Sequence, residues 1–386
     1  MSVNVVNKNI VIWGSGLDAV KCIYNLENKG MTVEYFLNTD CKINTFKGYK
    51  IYEPSSDVIC GKFVIVATTI EAYSSIAKSL KKYGLKEFDD YIYYDWMDKK
   101  LALLHGNCYM EYYKDALLSS KEFTRKYSIY PNLYVCDNRG GEVNKAALER
   151  IDLWIHQNIS ENNVFSYKLS DSYMKKYVSE FCREIVVPNF VGIQAGMFPQ
   201  CGQRYEEDVN YAIRNGEDLN GMFPYADNVI GKALDMYDNM DDIYNYCISD
   251  GLFEKEKIIT GFEQWIAKIE ERENRWDVKI LDYILENYKS VQLFYDIIHP
   301  TELLMGEMVD RLMKKIGMGI CERKNELTFL NSHEMPVYPC VKKVLGLKWS
   351  KETMRDGKFG KRAMASMNLR EYIKEYVWWC YGKSLQ

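Results

Sequence analysis

Residues Leu101-Ala102-Leu103-Leu104-His105-Gly106 form a short apolar run that stops at a glycine, and Asn107-Cys108 follow before a helical pattern starts at Tyr109. Such a run reads as a buried strand with Asn107 and Cys108 on the turn at its carboxyl end. Ligands of α/β sheets sit at that end, where the amides of a following helix N-terminus are turned toward an anion. A thiol in this position is placed to act as a nucleophile. The rest of the chain is organised around this stretch.

Upstream, residues 1–98 alternate strand and helix at the short spacing of a parallel sheet. Strands are expected at Asn9–Trp13, Thr32–Leu37, Phe63–Ala67 and Tyr91–Tyr94, with helices from Val20 to Leu26 and from about Ile70 to Tyr83. The first turn, Gly14-Ser15-Gly16-Leu17-Asp18-Ala19, has the Gly-x-Gly-x-x-Ala pattern in which glycines let backbone amides approach a phosphate. The acid that should follow is equivocal, since Glu34 lies within the second strand and Asp40 just past it. A tight strand-to-helix turn that binds no dinucleotide explains Gly14 and Gly16 more simply; a nucleotide held there is the alternative.

At 386 residues the chain exceeds one ordinary core, so two domains and an appendage are expected. The division is a Rossmann-like domain over 1–98, a catalytic α/β domain with large helical insertions over 99–320, and a basic, aromatic extension over 321–386. A net charge of −4 gives no reason to expect nucleic acid as a partner. The eleven cysteines are odd in number and show no CxxC or Cys/His ligand spacing. That argues against a disulfide framework and a structural zinc site, and no metal is expected. No basic-then-apolar leader and no membrane-length apolar run is seen, which points to the cytoplasm.

Downstream, strands are expected at Asn132–Cys136, with a turn at Asn138–Gly141, at Ile151–Ile155, and around Glu184–Phe190. Residues 206–290 read as mostly helical. Ser290–Tyr295 reads as the last strand of the sheet, followed by Asp296-Ile297-Ile298-His299-Pro300-Thr301 and an amphipathic helix carrying Leu303, Leu304, Met308, Leu312 and Ile316. An Asp three residues before a His can accept from one imidazole nitrogen and fix the tautomer. The other nitrogen is then left to take a proton from a nucleophile.

Gly106-Asn107-Cys108 after a strand, with Asp296-x-x-His299-Pro300 near the domain end, resembles the block order of SGNH/GDSL hydrolases. The cysteine form, with His-Pro-Thr and the Arg-Glu-x-x-x-Asp run from Arg272 to Asp277, is more similar to the WcbI-type capsular polysaccharide biosynthesis enzymes. That resemblance implies an SGNH-like fold and an acetyl-CoA-dependent acetyl transfer to a sugar or nucleotide sugar. It departs from the pattern at Tyr109, where Gln is expected, and in lacking a Gly-x-Asn-Asp block. Gln157, Asn158 and Asn189 follow predicted strands and are candidate oxyanion donors.

The candidate catalytic residues are therefore Cys108, His299, Asp296 and Asn107, the last through nearby backbone amides that would stabilise an oxyanion. Gly106, Gln157, Arg272 and Arg275 are candidates for holding CoA. For the two arginines, pairing with glutamates along a helix surface is the plainer alternative. His105 reads as a core or supporting residue, His156 equally as a core histidine, and His333 carries no motif. The last helix opens with a capping box, Asn368 to Glu371, and ends in Val377-Trp378-Trp379-Cys380-Tyr381. The extension could touch an anionic membrane surface, but packing on the core or an oligomer contact is the more ordinary explanation. An SGNH-type carbohydrate esterase, and a non-catalytic scaffold for CoA or a nucleotide sugar, are the alternative functions.

Overall fold

The computed structural model describes residues 8–40, 43–134, 144–163, 166–193, 195–202, 223, 225–321, 334–349, 354–355 and 366–384. The expected turn at Asn138–Gly141, His333 and most of the basic stretch of the extension lie outside these residues. The chain is mixed α/β with parallel sheets. It clusters into two compact units: Met1–Met110 with Ser120–Ile185, and Glu111–Ser119 with Val186–Gln386.

The first unit contains two sheets. Strands β1 (Ile10–Trp13), β2 (Val33–Leu37), β3 (Thr45–Phe46), β4 (Tyr49–Tyr52), β5 (Phe63–Val66) and β6 (Tyr91–Tyr93) form one sheet in the order β3-β4-β2-β1-β5-β6. All pairs are parallel except the β3–β4 hairpin. Every residue of the interior strands β1 and β5 is buried, as a strand covered on both faces requires, and so is every residue of the edge strand β6. The helix Leu17–Asn28 turns Ala19, Cys22, Ile23 and Leu26 inward, and Ile70–Lys82 does the same with Tyr73, Ala77 and Leu80. These are the 3–4 residue spacings of a helix with one apolar face.

Strands β7 (Lys100–Gly106), β8 (Tyr127–Tyr134), β9 (Ile151–His156) and β10 (Arg183–Val186) form the second sheet in the order β10-β9-β7-β8. β7 pairs in parallel with both β8 and β9. One core serves both sheets: Leu101, Leu103, Ala147, Leu148, Ile151, Trp154 and Met174 join the cluster built on β1, β2, β5 and β6. The boundary expected at residue 98 thus falls inside a continuous hydrophobic core. A polar knot reinforces it. Buried Glu87 accepts from Tyr73 Oη, Asn144 Nδ2 and, at 3.0 Å, Tyr130 Oη.

The second unit is largely helical over its described residues, with helices at Asn228–Leu234, Met240–Ile248, Lys255–Glu273, Leu281–Asn287, Glu302–Ile316, Pro339–Leu345 and Leu369–Tyr381. The expected capping box is formed: Asn368 Oδ1 accepts from Glu371 N at 3.0 Å, and Glu371 Oε2 from Asn368 N at 2.8 Å. Ser290–Tyr295 is not the last strand of the sheet that the sequence led us to expect. Phe294 makes one antiparallel bridge to Pro300, because the side chain of Asp296 folds the chain back on itself within a few residues.

Asp227 caps the Asn228–Leu234 helix from a fully buried position. It accepts from Val229 N at 3.0 Å, Ile230 N at 3.2 Å and Tyr338 Oη at 3.0 Å. Burial pushes its carboxyl up to about 7 despite those donors. An acid whose folded pKa lies above its unfolded value of about 3.9 contributes stability below that value and loses it as pH rises toward 7. The Asp227→Asn variant should therefore lose less stability than wild type between pH 4 and 7, by on the order of 3–4 kcal/mol, in parallel urea titrations. Equal slopes for the two proteins would refute the assignment.

Gly14 has φ +130°, and a Cβ there would lie 2.3 Å from the carbonyl oxygen of Ala67. The ends of β1 and β5 thus meet at a distance that only glycine permits. Gly14→Ala should destabilise the protein by about 2 kcal/mol or more, read as a lower urea midpoint at unchanged slope.

Candidate active site

β7 lies inside its sheet, so the turn at its carboxyl end is supported from both sides. Gly106 is there because a Cβ would fall 2.6 Å from Gln157 Oε1. That oxygen accepts the Asn107 amide at 2.9 Å, and Gln157 N donates to the His105 carbonyl at 3.1 Å. Asn107 then organises the next turn: its Oδ1 accepts from Tyr109 N at 3.0 Å and its carbonyl from Met110 N at 3.0 Å. Cys108 sits at the crest, partly exposed between buried neighbours. The amides of Asn107, Tyr109 and Met110 are thus engaged within the turn, which narrows the expected supply of oxyanion donors there. Gln157 is 1% exposed and supports the turn from below.

One rung beneath lies a layer of histidines. His105 pairs with His156 across β7 and β9. His156 stacks on Trp154 at 3.8 Å between ring centres and is fully buried. Its Nε2 is 2.9 Å from Glu184 Oε1, and its Nδ1 is 2.9 Å from the Gln157 carbonyl and 3.3 Å from Asp171 Oδ1. Burial opposes a charge on this ring, yet Asp171 and Glu184 together outweigh it and raise the pKa. Glu184 is correspondingly lowered to about 2 by its bond to His156. His105 is the opposite case: burial, aided by His156, pushes it down to about 3. Asn158 Nδ2 reaches Asp171 Oδ2 at 3.5 Å and so braces this layer.

The second unit carries Asp296 and His299 in a closed loop. Tyr295 N donates to the His299 carbonyl at 2.8 Å, and Thr301 N to the Leu293 carbonyl at 2.8 Å. Asp296 is 1% exposed; its Oδ1 accepts the amides of Ile298 and His299, each at 2.8 Å, and its Oδ2 lies 2.6 Å from His299 Nδ1. With two amides donating to one oxygen, the carboxylate is held in place and its second oxygen aimed at the ring. Nδ1 is then the protonated nitrogen, and Nε2 is the basic one. The His299 side chain is 18% exposed.

Arg272 lies elsewhere in that unit and donates to the carbonyls of Asn189 at 3.2 Å and Val191 at 2.7 Å. Glu273 Oε1 accepts Leu281 N at 2.8 Å, and Asp277 Oδ2 accepts Val186 N at 2.9 Å. The Arg-Glu-x-x-x-Asp run is a clasp on three backbone segments, a role neither sequence alternative foresaw. Asn189 Oδ1 in turn accepts Val191 N at 2.9 Å. Arg275 is exposed.

At the N-terminal loop, Asn38 Nδ2 donates to Ser15 Oγ at 2.8 Å, while Glu34 pairs with Lys62 at 2.6 Å. A cavity of about 590 Å³ lies at the other end of these strands, lined by Lys8, Asn9, Lys62 and Phe63. Gly14 is explained by the approach of Ala67, and a Cβ on Gly16 would meet nothing within 4 Å.

A family model described as polysaccharide biosynthesis enzyme WcbI matches residues 101–319. A solved structure of WcbI, described as the native protein without a disulfide bond between CoA and one of its cysteines, is similar over 74% of this chain and 91% of its own. The TM-score is 0.57 at 19% identity. No curated protein matches the sequence. Among the described residues no helix is long and apolar enough to cross a membrane.

The clasp predicts a contrast between two arginines three positions apart. Arg272→Ala should lower stability by about 2–3 kcal/mol, the loss of charged donors to two carbonyls. Arg275→Ala should stay within about 0.5 kcal/mol of wild type. Chemical denaturation of both variants checks this.

Proposed function

The chain belongs to the WcbI family of polysaccharide biosynthesis enzymes, and on that premise we propose that it transfers an acetyl group from acetyl-CoA to a sugar hydroxyl. The observation that carries the reading is the Asp296–His299 pair, in which a buried carboxylate fixes the Nδ1 proton of a histidine whose side chain is 18% exposed, with Nε2 as the base of the proposed reaction. In the reaction Cys108 Sγ attacks the thioester carbonyl, and CoA leaves as the thiol, carrying the proton that Cys108 gave up. The sugar hydroxyl then attacks the S-acetyl carbonyl as His299 Nε2 takes its proton, and that proton returns to the departing Cys108 sulfur. Direct transfer from CoA to the sugar, with His299 as base, uses the same groups without the S-acetyl stage.

Support for CoA as donor comes from the related solved structure, whose description refers to a CoA–cysteine disulfide. The turn that presents Cys108 is consistent with an SGNH-like arrangement, with residues 99–320 carrying the reaction. Gly106 and Gln157 serve CoA binding by shaping that turn. Exposed Arg275 is the better of the two arginines for a CoA phosphate, since Arg272 is bound to carbonyls. The N-terminal sheet is read as Rossmann-like, and the reaction asks for no nucleotide at its Gly14–Gly16 loop. An acetyl-CoA donor places the reaction in the cytoplasm.

Intact mass after brief incubation with acetyl-CoA tests the reading, with wild type beside Cys108→Ala and His299→Ala. A single acetyl adduct that disappears in Cys108→Ala is expected. Acetyl transfer to a sugar acceptor should fall roughly 10²–10⁴-fold in His299→Ala. Tight CoA binding without an adduct would select direct transfer. Ester hydrolysis that ignores CoA, with no CoA binding, would replace the transferase with an esterase built on the same pair.

A further inference from the structure

The histidine layer beneath the Cys108 turn contains polar atoms that the protein leaves unanswered. His105 is fully buried, yet neither ring nitrogen has a hydrogen-bond partner. The backbone of Leu169 approaches the ring only from outside hydrogen-bond geometry. Asp171 Oδ1 is likewise buried without a hydrogen-bond partner, although it lies 3.3 Å from His156 Nδ1. Leaving buried polar groups unpaired is unfavourable, and a leucine or phenylalanine at 105 would avoid it. One nitrogen from each histidine and one Asp171 oxygen all lie within 4.8 Å of one another.

We propose that His105, His156 and Asp171 form a binding site for one zinc-class divalent transition-metal ion. Two imidazoles and a carboxylate are zinc's own donors, and three protein ligands leave the fourth tetrahedral position to a water. Donors bound at about 2.0–2.1 Å at a tetrahedral angle stand about 3.3–3.4 Å apart, which is the separation of His156 Nδ1 and Asp171 Oδ1. The next shell of groups also fits. Glu184 accepts from His156 Nε2 at 2.9 Å, the carboxylate–histidine arrangement that orients a metal-bound imidazole. Lys175 balances Glu184 at 2.8 Å.

The His156 Nδ1 proton, 2.9 Å from the Gln157 carbonyl, is what the ion displaces, so uptake releases a proton. Asp171, 19% exposed, is the ligand through which an ion enters. The site's consequence is positional. It ties the carboxyl ends of β7 and β9 one residue before Gly106 and Gln157, the pair that shapes the Cys108 turn.

The test uses the full-length protein, stripped with a chelator and then titrated with Zn²⁺ or Co²⁺. The expected result is one zinc per chain by elemental analysis after desalting. Co²⁺ should show visible absorption of tetrahedral intensity, with proton release in weakly buffered solution and a higher Tm in the metal-loaded sample. Asp171→Asn should weaken zinc binding at least tenfold. His105→Leu keeps the proposal falsifiable even if the aspartate variant folds poorly. With a metal site, it abolishes stoichiometric zinc and the zinc-dependent rise in Tm. Without one, it removes an orphaned polar group and leaves Tm equal to or above wild type, with or without zinc. Failure of the wild type to retain zinc, or an unchanged stoichiometry in His105→Leu, overturns the site.

Discussion

The contact between Gly106 and Gln157 is the constraint on which the Cys108 turn depends. A central strand buried on both faces has to end somewhere, and its last amides need partners once the sheet stops. Gln157, one residue past the end of β9, reaches across and accepts the Asn107 amide, which is possible only because Gly106 has no side chain. Asn107 then hands the order on to the helix by accepting Tyr109 N. The thiol of Cys108 is therefore presented by a short chain of hydrogen bonds anchored in the sheet. A loop held only by its own residues would leave the sulfur with many more orientations.

How much of this was legible in the sequence depends on how local each interaction is. The Asp296–His299 pair spans three residues, as does the Asn368–Glu371 capping box, and both were readable from side-chain chemistry alone. The N-terminal strands and helices were readable because their apolar periodicity is strong. Tyr91–Tyr93, for instance, is wholly buried. The strand expected at Ser290–Tyr295 did not form, because the turn made by the Asp296 carboxylate overrides it and leaves one bridge. Arg272 was read as an anion clamp or a helix-surface residue, since its real partners, the carbonyls of Asn189 and Val191, lie more than 80 positions away. The domain boundary at 98 followed a polar joint in the sequence, whereas the core continues through Leu101, Leu103 and Trp154.

The histidine layer shows the same limit from another side. Metal ligands betray themselves in sequence when they cluster in short repeats, such as CxxC. Here the candidate donors come from the ends of two parallel strands and from the start of a short helix. Taken singly, His105 and His156 look like ordinary core residues. Only their cross-strand register, with Asp171 beside them, brings three donor atoms together.

Burial of an acid alone does not mark a reactive site, and five hydrogen-bonded carboxylates, some buried and some half-buried, make the distinction. Glu87 is closed by two phenols and an amide, and Asp227 by two backbone amides and a phenol. Each arrangement satisfies the acid and gives its charge no further role. Glu184 and Asp171 do engage an imidazole, but His156 is wholly buried and stacked on Trp154, out of reach of a substrate hydroxyl. Asp296 combines the two properties the others hold separately. Two amides fix one oxygen, and the other fixes the tautomer of a histidine whose side chain is partly exposed. A base must be both oriented and reachable to move a substrate proton. That conjunction, rather than the presence of an Asp near a His, separates the Asp296–His299 pair from the rest of the buried polar network.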